Sequence, residues 1–196
     1  MEKEQPKFSI LMFPWLAYSH VFPFLGLAKR LSKRSFHIYF CSSAINLDSI
    51  RNNMGTDLHI ATASIDLIEL QVPSLPELPS QFHTTKNLPT NLLPILLQAF
   101  QMSSSSFSEI LNALKPDLLI YDFFQRGRQS GLYLKKKVVP TGPIVQEPND
   151  KDDGCSEILQ WLSKKERYST VFVCFGSEHF LSKEQILEIA KGVGTM

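Results

Sequence analysis

Three polar side chains follow buried strands of the predicted fold, which is where ligands bind in open parallel sheets. His20 comes after the first strand and directly before a helix, Asp122 closes a later strand, and Ser177 follows a strand near the end of the chain. A histidine, with a reference pKa of about 6.5, can accept a proton from a hydroxyl group at neutral pH. An aspartate beside it could fix the ring tautomer and stabilise the imidazolium ion. These residue types indicate proton abstraction from a hydroxyl group.

Each of the three residues also has a purely structural interpretation. His20 could be a loop histidine bonded to the backbone, and Asp122 could be a turn or cap residue at a strand end. Ser177, which follows Gly176, could donate a hydrogen bond to a phosphate or simply belong to a turn. No GxGxxG or Walker sequence accompanies it. The spacing of the three residues does not decide between these alternatives.

The remaining histidines and the cysteines predict no metal site. The four histidines have no spacing suited to a metal, and the three cysteines form no CxxC pair: His37, His59, His83 and His179; Cys41, Cys155 and Cys174. The histidines are read as ordinary strand and loop residues, and the odd number of cysteines as reduced thiols of a cytoplasmic protein. We expect neither a metal nor a cofactor.

Composition and charge exclude several classes of protein. The chain has 196 residues, 43% of them hydrophobic, and a formal net charge of +1. This hydrophobic content fits a globular domain. A net charge this small produces no electrostatic field that would attract nucleic acid or an anionic membrane. The apolar stretch at residues 8–18 is read as a buried first strand instead of a signal peptide, because mixed charges precede it and no cleavage site follows. No segment has the length of a membrane span.

The elements that would position the polar side chains alternate between strands and helices. Predicted strands are Phe8–Pro14, Phe36–Cys41, Leu58–Ala61, Ile65–Leu70, Leu118–Asp122 and Thr170–Phe175. Predicted helices are Phe22–Lys33, Asn91–Leu114 with a bend or break in its serine run, Glu157–Lys165, and Lys183–Val193 behind a capping box of Ser182 and Gln185. The alternation predicts an α/β fold with an open, doubly wound parallel sheet.

Four segments carry a resemblance to a known family. They are the run PWLAYSH at Pro14–His20, KPDLLIYDFFQ at Lys115–Gln125, PTGPIV at Pro140–Val145, and the stretch Trp161–Gly192. In these segments the chain resembles plant family-1 UDP-glycosyltransferases, which are inverting enzymes of the GT-B fold. In detail it looks like the branch-forming subgroup, which extends sugars already attached to an acceptor.

The resemblance implies a domain organisation. Residues 1–145 correspond to an incomplete N-terminal acceptor-binding domain with a Rossmann-like parallel sheet. Residues 146–156 correspond to a linker, and residues 157–196 to the first βα unit of a C-terminal nucleotide-sugar domain. This division agrees with the polar, charged composition of Glu147–Gly154.

The resemblance also implies site residues. His20 would deprotonate an acceptor hydroxyl, Asp122 would support His20, and the oxygen would attack the anomeric carbon of a UDP-sugar with inversion. Ser177 would lie near the diphosphate, and Ser19 and Phe123 would contact the acceptor. The sugar would be glucose and the acceptor a terpenoid, flavonoid or similar glycoside. The UDP-sugar is a co-substrate, so no cofactor is implied.

The chain departs from the family pattern in two places. Arg126–Leu134 stands where the family has a further helix and strands, and the C-terminal signature around HCGWNS is absent. Holding a diphosphate takes several donors, so we expect the chain to be inactive by itself.

The alternative is a non-catalytic fragment that binds an acceptor or pairs with a full-length relative. A flavodoxin-like nucleotide binder is a third interpretation, weakened by the lack of glycine-rich phosphate loops.

Overall fold

The computed structural model describes residues 8–54, 64–122, 139, 156–174 and 181–194. The chain divides into two compact units, Met1–Ile144 and Val145–Met196. The described strands of the first unit are β1 (Ser9–Phe13), β2 (His37–Ser42), β3 (Ile65–Glu69) and β4 (Leu118–Tyr121). Its described α-helices are α1 (Tyr18–Ser32), α2 (Ala44–Met54), α3 (Leu93–Met102) and α4 (Ser104–Leu114), with 3-10 turns at Ser80–Phe82 and Thr90–Leu92.

The four described strands form one parallel sheet in the order β3-β2-β1-β4. β1 lies inside the sheet, so Ile10 pairs with Ile38 on one side and with Leu118 on the other. A strand in this position is covered on both faces, which explains why its sequence is a continuous apolar run. The prediction of an α/β fold with a parallel sheet is confirmed.

Alternate residues of β1 point into two separate hydrophobic cores. Leu11 and Phe13 belong to the core that includes Phe100 of α3 and Phe107 of α4. Ile10 and Met12 belong to the opposite core, which is closed by buried residues of α1 and α2. Helices therefore cover both faces of the sheet, the arrangement of a doubly wound fold.

The predicted helix Asn91–Leu114 is broken within its serine run, as expected. The amide and the hydroxyl of Ser103 both bond to the carbonyl of Phe100, at 3.2 and 2.6 Å. A side chain that donates to a backbone carbonyl in this way competes with the backbone hydrogen bonds of the helix. α3 therefore ends at Met102, and α4 begins at Ser104 and contributes Phe107 to the core.

Helix α1 begins four residues earlier than its sequence predicts. Proline is common in a first turn, so the sequence predicts a start at Phe22, but the helix starts at Tyr18 and contains Pro23. The carbonyl of Ala17 accepts bonds from the amides of His20 and Val21, both at 2.9 Å. His20 thus lies in the first helical turn, and its expected place in a loop before the helix was wrong.

Helix α2 was not predicted from the sequence. It follows β2 directly, and the amide of Leu47 bonds to the carbonyl of Ser43 at 3.0 Å. Leu47 and Ile50 enter the second core from this helix, while its other residues are mostly polar, with Ala44, Ile45 and Met54 as the apolar exceptions. So few apolar positions give little periodic signal. The predicted strand Leu58–Ala61 and residues 146–155 of the predicted linker lie outside the described residues, and Ser156, the last residue of that linker, is helical.

The second unit contains two described helices, α5 (Ser156–Ser163) and α6 (Lys183–Gly194). The predicted capping box of α6 is confirmed: the amide of Ser182 donates to Gln185 Oε1 at 2.9 Å, and the amide of Gln185 donates to Ser182 Oγ at 3.3 Å. The predicted buried strand Thr170–Phe175 is wrong over residues 170–174, which are exposed and outside any strand. Phe172 is 89% exposed. A strand needs a paired neighbour, and the described part of this unit provides none.

Within the described ranges, no helix is long and apolar enough to cross a lipid bilayer.

Candidate functional site

His20 is positioned by the turn that joins β1 to α1. This turn, Pro14–Ala17, is buried along its whole length and delivers the chain from the carboxyl end of β1 into the helix. The amide of His20 bonds to the carbonyl of Ala17 at 2.9 Å, so the place of the histidine depends directly on that turn. The His20 side chain is 26% exposed, so its ring is partly open to solvent.

Asp122 is positioned by the register between β1 and β4. At the start of the two strands, Asp117 Oδ2 accepts bonds from the amide and the hydroxyl of Ser9 at 2.8 and 2.9 Å. The amide of Asp117 in turn donates to the carbonyl of Ser9 at 3.0 Å. Five residues later, Asp122 leaves the carboxyl end of β4 beside the end of β1, with only 7% of its side chain exposed.

The side chains of His20 and Asp122 meet at this edge of the sheet. Nδ1 of His20 is hydrogen-bonded to Oδ2 of Asp122. A carboxylate on this nitrogen favours the tautomer with the proton on Nδ1 and the lone pair on Nε2. It also stabilises the imidazolium ion that forms when Nε2 takes up a proton. The pair can therefore act as a base toward a hydroxyl group.

Two further side chains, which sequence reasoning missed, hold the β1–α1 turn. The carbonyl of Leu16 accepts the side-chain amide of Asn46 at 3.1 Å and the backbone amide of Thr85 at 3.4 Å. The hydroxyl of Thr85 accepts the amide of Tyr18 at 3.3 Å. Asn46 and Thr85 are both buried. No periodicity or motif in the sequence predicts this role, because both residues bond to backbone groups that are distant in the sequence.

Aromatic residues and a lysine line the start of α1. The rings of Tyr18 and Phe22 lie 4.2 Å apart, and the ammonium group of Lys86 lies 5.0 Å from the centre of the Tyr18 ring. Lys86 is exposed, while Tyr18 is half-buried. A planar ring beside a cation offers a surface on which a flat or hydroxylated molecule can stack.

His83 is the buried histidine of the neighbouring segment. Its carbonyl accepts the hydroxyl of Ser43 at 2.6 Å, and its ring bonds to the backbone carbonyl of Leu78. Nε2 of its ring is buried without a hydrogen-bond partner. Burial lowers the pKa of His83 below 6.5, and the bond to Leu78 opposes this shift. The ring is therefore neutral at pH 7.

The structure brings together two of the five predicted site residues, His20 and Asp122. Ser19 lies beside His20 in α1 and is exposed. Phe123 and Ser177 lie outside the described residues. In the parts of the chain that are described, no group of three or more acidic, histidine or cysteine side chains is placed to hold a metal ion.

Residues 6–118 match the sequence model of a glycosyltransferase N-terminal domain. The chain is 36% identical to mogroside IIIx synthase of Siraitia grosvenorii, over 94% of the chain and 59% of that protein. It is 33% identical to flavanone 7-O-glucoside 2''-O-beta-L-rhamnosyltransferase of Citrus maxima, over 97% of the chain and 62% of that protein. The chain therefore spans about three fifths of the length of these relatives.

The alignment with the synthase extends over 281 positions, although the chain has 196 residues. That relative therefore contains residues inside the aligned region that have no counterpart here. Among solved structures, the complex of Glycyrrhiza uralensis UGT73P12 with glycyrrhetinic acid 3-O-monoglucuronide is similar, with a TM-score of 0.56. It is 17% identical, and the match covers 64% of this chain and 26% of that chain. At this identity the likeness concerns the fold alone.

Proposed function

Since the chain belongs to the plant UDP-glycosyltransferase family and has an incomplete Rossmann-like domain of the GT-B type, we propose that it forms the acceptor side of such an enzyme. His20 Nε2 takes the proton of an acceptor hydroxyl, and Asp122 stabilises the imidazolium ion. The acceptor oxygen then bonds to the anomeric carbon of the UDP-sugar while the bond from that carbon to the diphosphate breaks. UDP leaves, and the anomeric configuration inverts. The contact between His20 and Asp122 is the observation that carries this proposal.

The proposed acceptor is a small plant glycoside whose attached sugar receives the new sugar. This is supported by the name of the Citrus relative, which transfers a sugar to a flavanone glucoside. Ser19 and Phe123 are the proposed acceptor contacts, because they adjoin the two residues of the base in the sequence.

The donor is a UDP-sugar, as in the family, and we propose glucose as the sugar. Ser177 is the proposed contact to the diphosphate, and residues 157–196 are the proposed start of the donor domain, joined through a linker at 146–156. One serine cannot hold a diphosphate, which takes several converging donors. Transfer requires both substrates to be held together, a contribution of about 7–11 kcal/mol. The 196-residue chain by itself therefore transfers no sugar.

A chimeric enzyme tests the proposal. Residues 8–122 of this chain replace the matching segment of the Siraitia grosvenorii synthase, and transfer from UDP-glucose to glycosides is measured. We expect transfer, and His20→Ala should lower it by about 10²–10⁴-fold, the usual range for a general base. His37→Ala is the matched control, because His37 also bonds to an aspartate, Asp66, at 3.0 Å. Equal activity of the His20 variant and the parent chimera would refute the assignment.

A second candidate is a non-catalytic fragment that binds a glycoside or pairs with a full-length relative. It is favoured by the 281-position alignment, since the aligned region of the relative holds residues that this chain lacks. Isothermal titration of the 196-residue chain with flavonoid glycosides, alone and with a full-length relative present, separates the two functions. Binding by the chain alone without transfer from UDP-glucose supports the fragment, whereas transfer by the chain alone excludes it. For either function we propose the cytoplasm as the compartment, in line with the free thiols of the described cysteines, Cys41 and Cys174.

A further inference from the structure

The turn between β1 and α1 has an unusual need for hydrogen-bond partners. It is buried, so backbone groups left without partners there would each destabilise the fold. A helix usually begins with a side chain that accepts one of its first amides. Ala17 occupies that cap position in α1, and alanine has no such acceptor. The amide of Tyr18, the first in α1, therefore takes its acceptor from another segment.

Thr85 supplies this acceptor from a loop 67 residues away. Its hydroxyl accepts the amide of Tyr18, the first residue of α1, at 3.3 Å. Its own amide donates to the carbonyl of Leu16 at 3.4 Å. Thr85 thus contacts both peptide groups that flank Ala17. A side chain that does this fixes the orientation of the turn as well as its stability.

Asn46 holds the same turn from helix α2. Its side-chain amide donates to the carbonyl of Leu16 at 3.1 Å and lies 3.3 Å from the hydroxyl of Ser42. The Leu16 carbonyl is therefore shared by Asn46 and Thr85, which approach it from different segments. Three polar contacts define one short turn, and the amide of His20 bonds to the carbonyl at the end of that turn.

We propose that Thr85 and Asn46 are positioning residues that hold His20 in the orientation in which its ring meets Asp122. This inference rests on the proposed role of His20 as the base. If the turn shifts, the ring moves with it, while Asp122 stays with β4 because Asp117 and Ser9 fix that strand independently. A displacement of about 1 Å at a reacting group can lower a rate by 10²-fold.

The chain offers a matched set of variants. Thr85→Val removes the hydroxyl and keeps the shape, whereas Thr85→Ser keeps the hydroxyl. Thr84→Val is the control, because Thr84 is also buried and its hydroxyl also accepts one backbone amide, that of Lys86, at 3.3 Å. Asn46→Leu tests the second contact. Circular dichroism melts identify any variant that does not fold.

The readout is the ring of His20 in the full 196-residue chain. Nitrogen-15 shifts of labelled histidine report the fraction of rings with the proton on Nδ1, and the His20 signals are assigned by their loss in His20→Gln. We expect Thr85→Val and Asn46→Leu to lower this fraction, Thr85→Ser to restore it, and Thr84→Val to leave it unchanged. If Thr85→Val folds and keeps the parent signals, or if Thr84→Val changes them equally, the proposal is overturned.

This readout requires no sugar donor, so it is separate from the test of sugar transfer. In the chimera, Thr85→Val should lower kcat with little change in KM, and Thr85→Ser should recover most of kcat. An inactive parent chimera would count against the proposed function, while unchanged His20 signals in Thr85→Val would count against the positioning role. The two failures are therefore distinguishable.

Discussion

Nδ1 of His20 is hydrogen-bonded to Oδ2 of Asp122 although the two residues are 102 positions apart in the sequence. They meet because each follows one of two adjacent parallel strands, β1 and β4, whose carboxyl ends lie at the same edge of the sheet. Strands β1 and β4 are thus neighbours in the sheet although they are far apart in the chain. A base of this kind depends on strand register as much as on its own residues.

Asp122→Asn in the chimera should lower kcat by about 10²–10³-fold, the lower part of the usual range for acid–base catalysis. An amide cannot neutralise the imidazolium ion, and it can bond to the ring in the wrong tautomer. Steady-state kinetics measure the change. Asp66→Asn provides the control, since Asp66 of β3 bonds to His37 at the amino end of β2, away from the carboxyl ends of the strands where His20 and Asp122 meet. Comparable losses in both variants would show that the effect is not specific to the base.

His83 should make the fold sensitive to acid. Burial lowers its pKa below the ordinary value of 6.5. Between the two values the unfolded chain binds the proton and the folded chain does not, so the free energy of unfolding falls as the pH decreases below 6.5. Above 6.5 both states are neutral and the effect vanishes. Urea unfolding at a series of pH values measures this dependence.

The variant His83→Gln isolates that contribution, because glutamine does not titrate and can still donate to the carbonyl of Leu78. We expect its stability to fall less steeply than the parent's between pH 7 and pH 5. Carboxylates that titrate in this range are common to both proteins and cancel in the difference. Parallel curves for the two proteins would contradict the prediction.

The described cysteines should differ strongly in reactivity. Burial raises the pKa of the Cys41 thiol to about 12, and the thiolate is the reactive form. Cys174 is exposed. At pH 7.5 a maleimide should therefore modify Cys174 and leave Cys41 intact until urea unfolds the chain. Peptide mass mapping follows each site, and equal rates for both in the native chain would show that Cys41 is accessible.

Phe107→Ala should reduce the free energy of unfolding of the first unit by about 3–5 kcal/mol. The ring is completely buried and stacks on Phe13 with 3.9 Å between ring centres. Trp15, which contacts Phe100 edge-on at 4.9 Å, reports unfolding by fluorescence once Trp161 is replaced by phenylalanine.

Phe8→Ala is the matched control for that substitution. Phe8 is half exposed and makes one edge contact with Phe36 at 5.9 Å. Its loss should cost about 0.5–1.5 kcal/mol, the usual contribution of an aromatic pair. If the two substitutions had the same effect, Phe107 could not be part of a packed core.

Local signals in the sequence predicted the parts of the fold that depend on neighbours in the chain. The apolar runs of β1 and β4, the break at Ser103 and the capping box of α6 all have such signals. The start of α1 could not be predicted, because its amide acceptor, Thr85, is remote in sequence. Residues 170–174 have the composition of a strand, but strand formation requires a neighbour that composition does not supply.

The same contrast between local signals and contacts remote in sequence applies to the candidate site. His20 and Asp122 were candidates because polar residues that follow parallel strands collect at one edge of the sheet, but only the resemblance to a family assigned them the roles of base and support. Asn46 and Thr85 were not, since a buried side chain that serves a distant carbonyl or amide follows no pattern of spacing. The roles of Ser19, Phe123 and Ser177 stay predictions.

The strand order β3-β2-β1-β4 also determines when the proposed base is completed during synthesis. β1 and His20 leave the ribosome first, and β2 and β3 can dock on one edge of β1 long before β4 exists. At translation rates of about 5–20 residues per second, the remaining 102 residues take roughly 5–20 seconds to emerge. Throughout that interval the nascent chain carries the histidine without its carboxylate.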